Sequence, residues 1–254
     1  MAVTFAADGP VGTITLDNPP ANSYDIEMVT ELGAAIDEAA DDATSRVVVL
    51  RSASEKFFCA GADIKAFLAN DVDANMEMIR TAHAALRSIA AADKPFVAWI
   101  AGHALGGGLE IALACDLRYA AQGSFRLGTP EVTLGLLPGN GGSQRLPRLI
   151  GRGPALELLL TGRAVTPDEA LGLGLVGGLF ADDDAFAAHV QKLAAGPPVA
   201  MAAIKRCVHE GAEQTLDEGL ALERELIEQL FRSKDATEGL TAFVEKREPE
   251  FVGA

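Results

Sequence analysis

The chain has 254 residues, 49% hydrophobic and 22% charged, which supplies a buried core for one domain with an appendage or for two small ones. Its formal charge of −15 works against nucleic acid and anionic membrane surfaces, so an anionic ligand has to be met by local cations. Cys59, Cys115 and Cys207 have neither CxxC nor metal-ligand spacing; Met1–Pro10 has no export pattern and no apolar run reaches about 18 residues, so the expected home is a reducing cytoplasm.

Val3–Ala7 and Val11–Leu16 are β-rich runs joined at Asp8-Gly9-Pro10, which predicts a hairpin. Beyond Asn18-Pro19-Pro20, the residues Ile26, Val29, Leu32, Ala35 and Ile36 recur at helical spacing, predicting a helix over Ile26–Ala40, and Val47–Leu50 reads as a buried strand. The β-α-β pattern continues with a loop over Glu55–Lys65, a helix over Met76–Ala91, a strand over Pro95–Ile100 and a short helix over Gly106–Ala114. Leu117–Ala120 and Phe125–Leu127 are further strand candidates. Beyond Leu146 the pattern is helical, punctuated by Gly151, Gly172, Gly174 and Gly177. Gly196-Pro197-Pro198 marks a boundary between a core of residues 1–196 and a C-terminal helical region of residues 197–254, whose Glu, Lys and Arg spacing suits exposed helical faces.

Three segments carry the chemical signal. Phe57–Lys65 is rich in small residues that let a ligand approach the backbone, although Ala60-Gly61-Ala62 read alone is a common turn. Gly102–Glu110 follows an apolar strand and opens a helix, so its exposed NH groups suit an anionic oxygen. Its glycines fall at 102, 106, 107 and 108, which is not the G-x-G-x-x-G spacing of a dinucleotide turn. Glu110 lies three residues beyond Gly107 on the same helical face. A solvated first-turn glutamate is the plain alternative, but the neighbours Leu109, Ile111, Leu113 and Ala114 predict a buried helix, and a buried carboxylate needs a reason. Leu127–Leu146, dense in Gly and Pro, carries Glu131, which by itself is a routine helix-start acid, and Gly139-Asn140-Gly141-Gly142, which by itself is a turn. His83, His103, His189 and His209 do not cluster like metal ligands, His103 reads as a packing or hydrogen-bonding residue near the loop, and Ser143 lacks a G-x-S-x-G elbow.

Taken in order, CAGADIK at 59–65, GHALGGGLE at 102–110 and PEVTLGLLPGNGGSQRL at 130–146 resemble the crotonase superfamily, the enoyl-CoA hydratase/isomerase group, and FVEKREPEF at 243–251 resembles its tail. The similarity runs over nearly the whole chain. It implies an α/β fold, a ClpP/crotonase-like spiral of stacked β-β-α turns with a C-terminal helical trimerisation region, and homotrimers that pair into hexamers. It also implies an acyl-CoA or enoyl-CoA thioester as substrate, coenzyme A being part of that substrate, with no separate cofactor or metal. Position by position, the NH groups of Ala62 and Gly107 would hold the thioester oxygen, and Glu110 and Glu131 match the hydratase pair of catalytic glutamates. Substrate contacts would fall on Ala60, Ala62, Asp63, Ile64, Lys65, Gly106, Gly107 and Pro130. Lys56 and Lys65 flank the first motif as candidate cations for CoA phosphates, with a solvated surface lysine as the alternative for Lys56, and Ala66–Met78 is a candidate mobile wall of the acyl pocket.

The implied reaction is hydration of a 2-trans-enoyl-CoA to a 3-hydroxyacyl-CoA, as in fatty acid degradation by β-oxidation. An enoyl-CoA isomerase is the nearest rival, and possession of both glutamates favours hydration. Other crotonase-type acyl-CoA enzymes share the oxyanion hole, and a non-catalytic RNA- or ligand-binding homologue fits poorly with a charge of −15. Two departures from the resemblance stand out: Glu110 and Glu131 are 21 positions apart, one more than in the hydratases compared, and Ala101 stands where the family often has Asn.

Overall fold

The computed structural model describes residues 1–254. Strands β1 (Val3–Asp8) and β2 (Val11–Leu16) form the predicted antiparallel hairpin, turning at Gly9. Helix α1 (Ile26–Asp41) is capped by the Asp25 side chain on Met28 NH and leads to β3 (Val47–Ser52) and β4 (Phe57–Cys59). Helices α2 (Ile64–Ala69) and α3 (Val72–Ala91) follow, then β5 (Phe96–Ile100), β6 (His103–Leu105) and α4 (Gly107–Ala114). Next come β7 (Leu117–Ala121), β8 (Leu127–Gly128), a 3-10 helix over Pro130–Leu134, α5 (Gly142–Ile150), α6 (Arg152–Thr161) and α7 (Pro167–Gly172). The chain ends with β9 (Leu179–Phe180), α8 (Asp183–Ala194), α9 (Pro198–Gly211), α10 (Leu216–Leu230) and α11 (Lys234–Glu245).

Two sheets organise these elements. A six-stranded sheet has the order β1-β2-β3-β5-β7-β9, parallel from β2 onward, and a three-stranded parallel sheet has the order β4-β6-β8. Each of β3, β5 and β7 contributes to the larger sheet, the next strand crosses to the smaller one, and helical structure returns the chain. This is the spiral of stacked β-β-α turns that the motifs imply.

The alternation along the central strands assigns each face. Val48 and Leu50, with Phe96, Ala98 and Ile100, enter the main core of 39 buried residues, which also takes in α1, α3 and α4. Val47, Val49, Val97 and Trp99 face the other way into a cluster of seven, closed by Phe186, Val190 and Ala194 of α8. Trp99 stacks on Phe186 with ring centroids 4.2 Å apart and 8° between planes, and its indole NH donates to Asp183. These strands are buried on both sides, which is why their sequences read as apolar runs rather than alternating ones.

Two expectations need correcting. The predicted Glu55–Lys65 loop contains β4 and the start of α2, and β6 lies between β5 and α4 where direct entry into the helix was expected. At three residues each, β4 and β6 are too short to set up a periodicity. Ala66–Met78 is mostly helical, split between α2 and α3 around Asn70 and the capping Asp71.

Behind α4 the chain carries a buried ion pair. Lys205 Nζ of α9 lies 2.9 Å from Asp116 Oδ2 and donates to the carbonyls of Ile89 and Lys94, while His209 bonds Asp116 Oδ1 at 2.8 Å. Asp116 Oδ2 also accepts from Phe96 NH at 2.7 Å. A single carboxylate thereby ties α9 to the entry of β5. At the C-terminus, Asp235 accepts from Val252 NH and Gly253 NH, and the Ala254 carbonyl accepts from Lys234 NH and Asp235 NH, so the tail folds back on the start of α11.

Candidate active site

The first wall of the site follows β4. Ala60–Asp63 runs beside Tyr24: Tyr24 NH donates to the Gly61 carbonyl at 3.0 Å and Asp63 NH to the Tyr24 carbonyl at 2.8 Å. In that parallel arrangement the NH of Ala62 is turned away from the Tyr24 backbone. The second wall follows β6. Gly106, at φ 54 and ψ −130, turns the chain into α4, and the first NH groups of that helix, beginning with Gly107, have no intrahelical acceptor. The walls touch, because a Cβ on Gly61 would sit 3.4 Å from the Gly107 nitrogen and one on Gly108 would sit 2.1 Å from the Cys59 carbonyl oxygen. Only glycine allows α4 to seat this closely on β4.

Every residue of α4 is buried, and Glu110 is 1% exposed. Its Oε1 accepts from Asn140 NH at 2.7 Å and from Gly142 NH at 2.6 Å, while Oε2 accepts no hydrogen bond from the protein. Burial is the largest influence on this carboxyl and pushes its pKa up to about 7; Gly142 NH opposes that rise, the nearby Glu131 adds to it, and Asn140 NH and Arg145 oppose it further. Glu131 stands in the first turn of the 3-10 helix, half-buried, and burial raises its pKa as well, against its own backbone NH. A Cβ on Gly106 would come 2.8 Å from Glu131 Oε1, which places this second carboxylate against the glycine turn.

Three buried side-chain polar atoms in the molecule have no hydrogen-bond partner: Thr129 Oγ1, Glu131 Oε2 and Asn140 Oδ1. Thr129 adjoins the 3-10 helix of Glu131, and Asn140 supplies a donor to Glu110, so all three belong to this one site. Buried polar groups are ordinarily satisfied, and a local cluster of exceptions marks a place where a ligand or water belongs.

The structure brings Ala62, Gly106, Gly107, Glu110, Pro130 and Glu131 into this region, with Ala60 adjoining it and bonded to the Ala21 carbonyl at 3.0 Å. Asp63 is occupied as the cap of α2, its carboxylate accepting from Lys65 NH at 2.8 Å. Ile64 and Lys65 are exposed at the start of that helix; Lys56 is exposed with its ammonium 5.4 Å from the Phe57 ring centroid. His103 accepts from Arg126 NH and packs on Phe57, and His83 bonds the Gly139 carbonyl at 2.7 Å, so both serve local structure. Sequence reasoning passed over three residues: Tyr24, whose hydroxyl receives the Asn140 amide at 2.6 Å, and Asn140 and Gly142, which bind Glu110. The signal for the last two was the Gly139–Gly142 run, dense enough to suggest a shaped loop; nothing in the local sequence links Tyr24 to them.

The spiral of β-β-α turns, with a glycine turn between a buried and a half-buried acid, defines a protein of the crotonase fold. The enoyl-CoA hydratase/isomerase family profile matches residues 7–254, and the chain belongs to that family. It is 42% identical to a putative enoyl-CoA hydratase/isomerase of Bacillus subtilis over 94% of both chains, and 34% identical to the short-chain-enoyl-CoA hydratase of Clostridium acetobutylicum over 98% of this chain and 96% of that one. Among solved structures, the enoyl-CoA hydratase of Geobacillus kaustophilus superposes with a TM-score of 0.96 at 40% identity, covering 100% of this chain and 97% of the other.

Proposed function

We propose that this protein is an enoyl-CoA hydratase that adds water across the double bond of a 2-trans-enoyl-CoA. The observation that carries the reading is the pair of glutamates, one buried and one half-buried, set against a glycine turn whose leading NH groups lack acceptors, surrounded by the molecule's unpartnered buried polar atoms.

In the proposed chemistry the thioester oxygen lies against the NH groups of Ala62 and Gly107, which makes the β-carbon electrophilic. Negative charge grows on that oxygen as the water attacks, and loss of one such donor costs about 2.7 to 4 kcal/mol in comparable sites. Glu110 accepts the water proton. Its Oε1 is engaged by two NH donors, which favours the ionised form, and its Oε2 is free to face the water. The π electrons of the attacked double bond pass into the thioester enolate, which then takes a proton from Glu131 at the α-carbon. Burial keeps Glu131 protonated to higher pH than an exposed glutamate, which suits an acid. The sum is one water added, and both glutamates return to their starting state by exchanging a proton with solvent. Coenzyme A enters and leaves as part of the substrate, so the scheme calls for no separate cofactor.

The rest of the reading concerns surroundings. Exposed Lys56 and Lys65 are the candidate partners of CoA phosphates, and the exposed apolar side chains Leu68 and Val72 support α2 and the start of α3 as a wall for the acyl chain. Leu240, Phe243 and Val244 on α11 and Ile227 and Phe231 near the end of α10 are exposed apolar residues, which supports assembly of trimers through residues 197–254. No helix is long and apolar enough to cross a membrane, and a cytoplasmic place in fatty acid degradation fits the three free cysteines. The test is hydration of crotonyl-CoA by the purified protein, followed as loss of the enoyl thioester and formation of the 3-hydroxyacyl product. Turnover that disappears in Glu131→Gln supports the reading. Double-bond migration without water addition would replace it with an isomerase.

A further inference from the structure

We infer that Tyr24 is a positioning residue that locks both proposed oxyanion donors and the Glu110 anchor into one rigid unit; this rests on the hydratase reading. Three contacts made by the one residue converge. Its backbone forms the bridge that orients the Ala62 segment, through the bonds to Gly61 and from Asp63. Its ring tip fills the space over Gly107, where an added Cβ would lie 1.8 Å from the hydroxyl oxygen and 2.6 Å from the ring carbon that bears it. Its hydroxyl accepts from the Asn140 side-chain amide at 2.6 Å, and the backbone NH of the same Asn140 donates to Glu110 Oε1 at 2.7 Å. Tyr24 is 5% exposed, and the carboxylates of Glu110 and Glu131 both lie close enough to oppose its ionisation, so it works as a neutral phenol whose own proton is free to be donated within the site.

The consequence is specific to the hydroxyl. Packing over Gly107 belongs to the ring, which phenylalanine would preserve. Tethering Asn140 belongs to the oxygen alone, and the tether decides how firmly Asn140 NH meets Glu110. Without it a buried amide loses its partner, the NH bond that favours the Glu110 carboxylate loosens, and the Glu110 carboxyl holds its proton to higher pH.

The experiment compares Tyr24→Phe with wild type. Hydration kcat is expected to fall roughly tenfold to a hundredfold, with KM changed less than about threefold and the acidic limb of the pH–kcat profile moved upward. Asn140→Ala, which keeps the backbone NH but removes the amide, is expected to give a similar loss, and the double variant is expected to be little worse than either single one. Additive losses, or a Tyr24→Phe enzyme with wild-type kcat and pH profile, would overturn the proposal. A readout free of turnover separates this from failure of the hydratase reading: the pH dependence of thermal stability reports Glu110 directly and is expected to shift in Tyr24→Phe but not when Tyr24→Phe is made on Glu110→Gln. An unshifted stability profile rejects the role of Tyr24 even if the wild type hydrates no enoyl-CoA, and wild-type inactivity with a shifted profile rejects the hydratase reading alone.

Discussion

Two acids stand at opposite ends of α4, six positions apart, and the protein treats them in contrary ways. Asp116, just beyond the helix, is mostly shielded from solvent and paired with a cation: Lys205 lies 2.9 Å from one oxygen and His209 2.8 Å from the other. Glu110, in the first turn, is 1% exposed and is held only by neutral NH groups, with Arg145 acting on it weakly from a distance. A paired carboxylate is satisfied and inert, and it fastens helices together. One left in apolar surroundings with a second acid nearby keeps a proton near neutrality and stays chemically available. In the proposed reading, the same residue chemistry serves structure at one end of the helix and catalysis at the other according to what faces it.

The sharpest way to break this contrast is to neutralise one group at each end, the acid itself at Glu110 and the acid's partner at Asp116. Glu110→Gln retains an oxygen able to accept from Asn140 and Gly142, so the fold should persist while hydration falls about 10²- to 10⁴-fold; steady-state kinetics with crotonyl-CoA, beside a circular dichroism spectrum, checks this. Retained turnover would place Glu110 with Asp116 as a structural acid. Lys205→Met strikes the other end by leaving Asp116 buried without its ammonium, which should cost about 3 to 5 kcal/mol of stability while the turnover of molecules that stay folded is unchanged. Urea unfolding with activity measured below the transition separates the two quantities.

How much of this contrast was legible in the sequence differs between the acids. Glu110 stood out because α4 is apolar on every side, so any carboxylate in it is conspicuous, and the glycine run before it signalled free NH groups. Glu131 gained meaning only from its order after the two other motifs. Asp116 and Lys205 gave no signal: they are 89 residues apart, and nothing local tells a lysine in an amphipathic helix that it will point inward. Tyr24 was missed for the same reason, its partners lying at positions 107 and 140. The fold was legible where strands are long and buried on both faces, as in β3 and β5, was lost at β4 and β6, and was caught at β8 only at Leu127; these three short strands exist by pairing with one another rather than by propensity. The C-terminal helices were readable from their charge spacing, whereas the return of the tail to Asp235 was not.

The next effect concerns pH. The Glu110 carboxyl is raised from 4.5 to about 7, so between those values the folded state binds a proton that the unfolded chain has released. Stability therefore falls as pH rises through that window and levels off above it, by at most on the order of 3 kcal/mol. Relative to wild type, Glu110→Gln should gain stability by that order between pH 4.5 and pH 7.5, as read from paired denaturant melts. In the proposed scheme activity runs the opposite way, because Glu110 must be ionised to take the water proton: hydration is expected to rise with pH through about 7. A stability difference that does not change with pH would mean the Glu110 proton is not held by the fold.

The smallest effect tests whether burial, rather than distance, sets the strength of the structural acid. Lys205 and His209 approach Asp116 equally closely, yet the lysine side chain is 6% exposed and the histidine 40%. An exposed partner gives up little when removed, since water replaces it and the charge it leaves is still paired. His209→Ala should thus cost under about 1 kcal/mol, against the several expected for Lys205→Met, and a double-mutant cycle between them should show that most of the coupling to Asp116 runs through the lysine. Equal losses from the two variants would show that Asp116 depends on both partners alike, and the contrast with Glu110 would then rest on the number of partners around each acid instead of on their shielding from solvent.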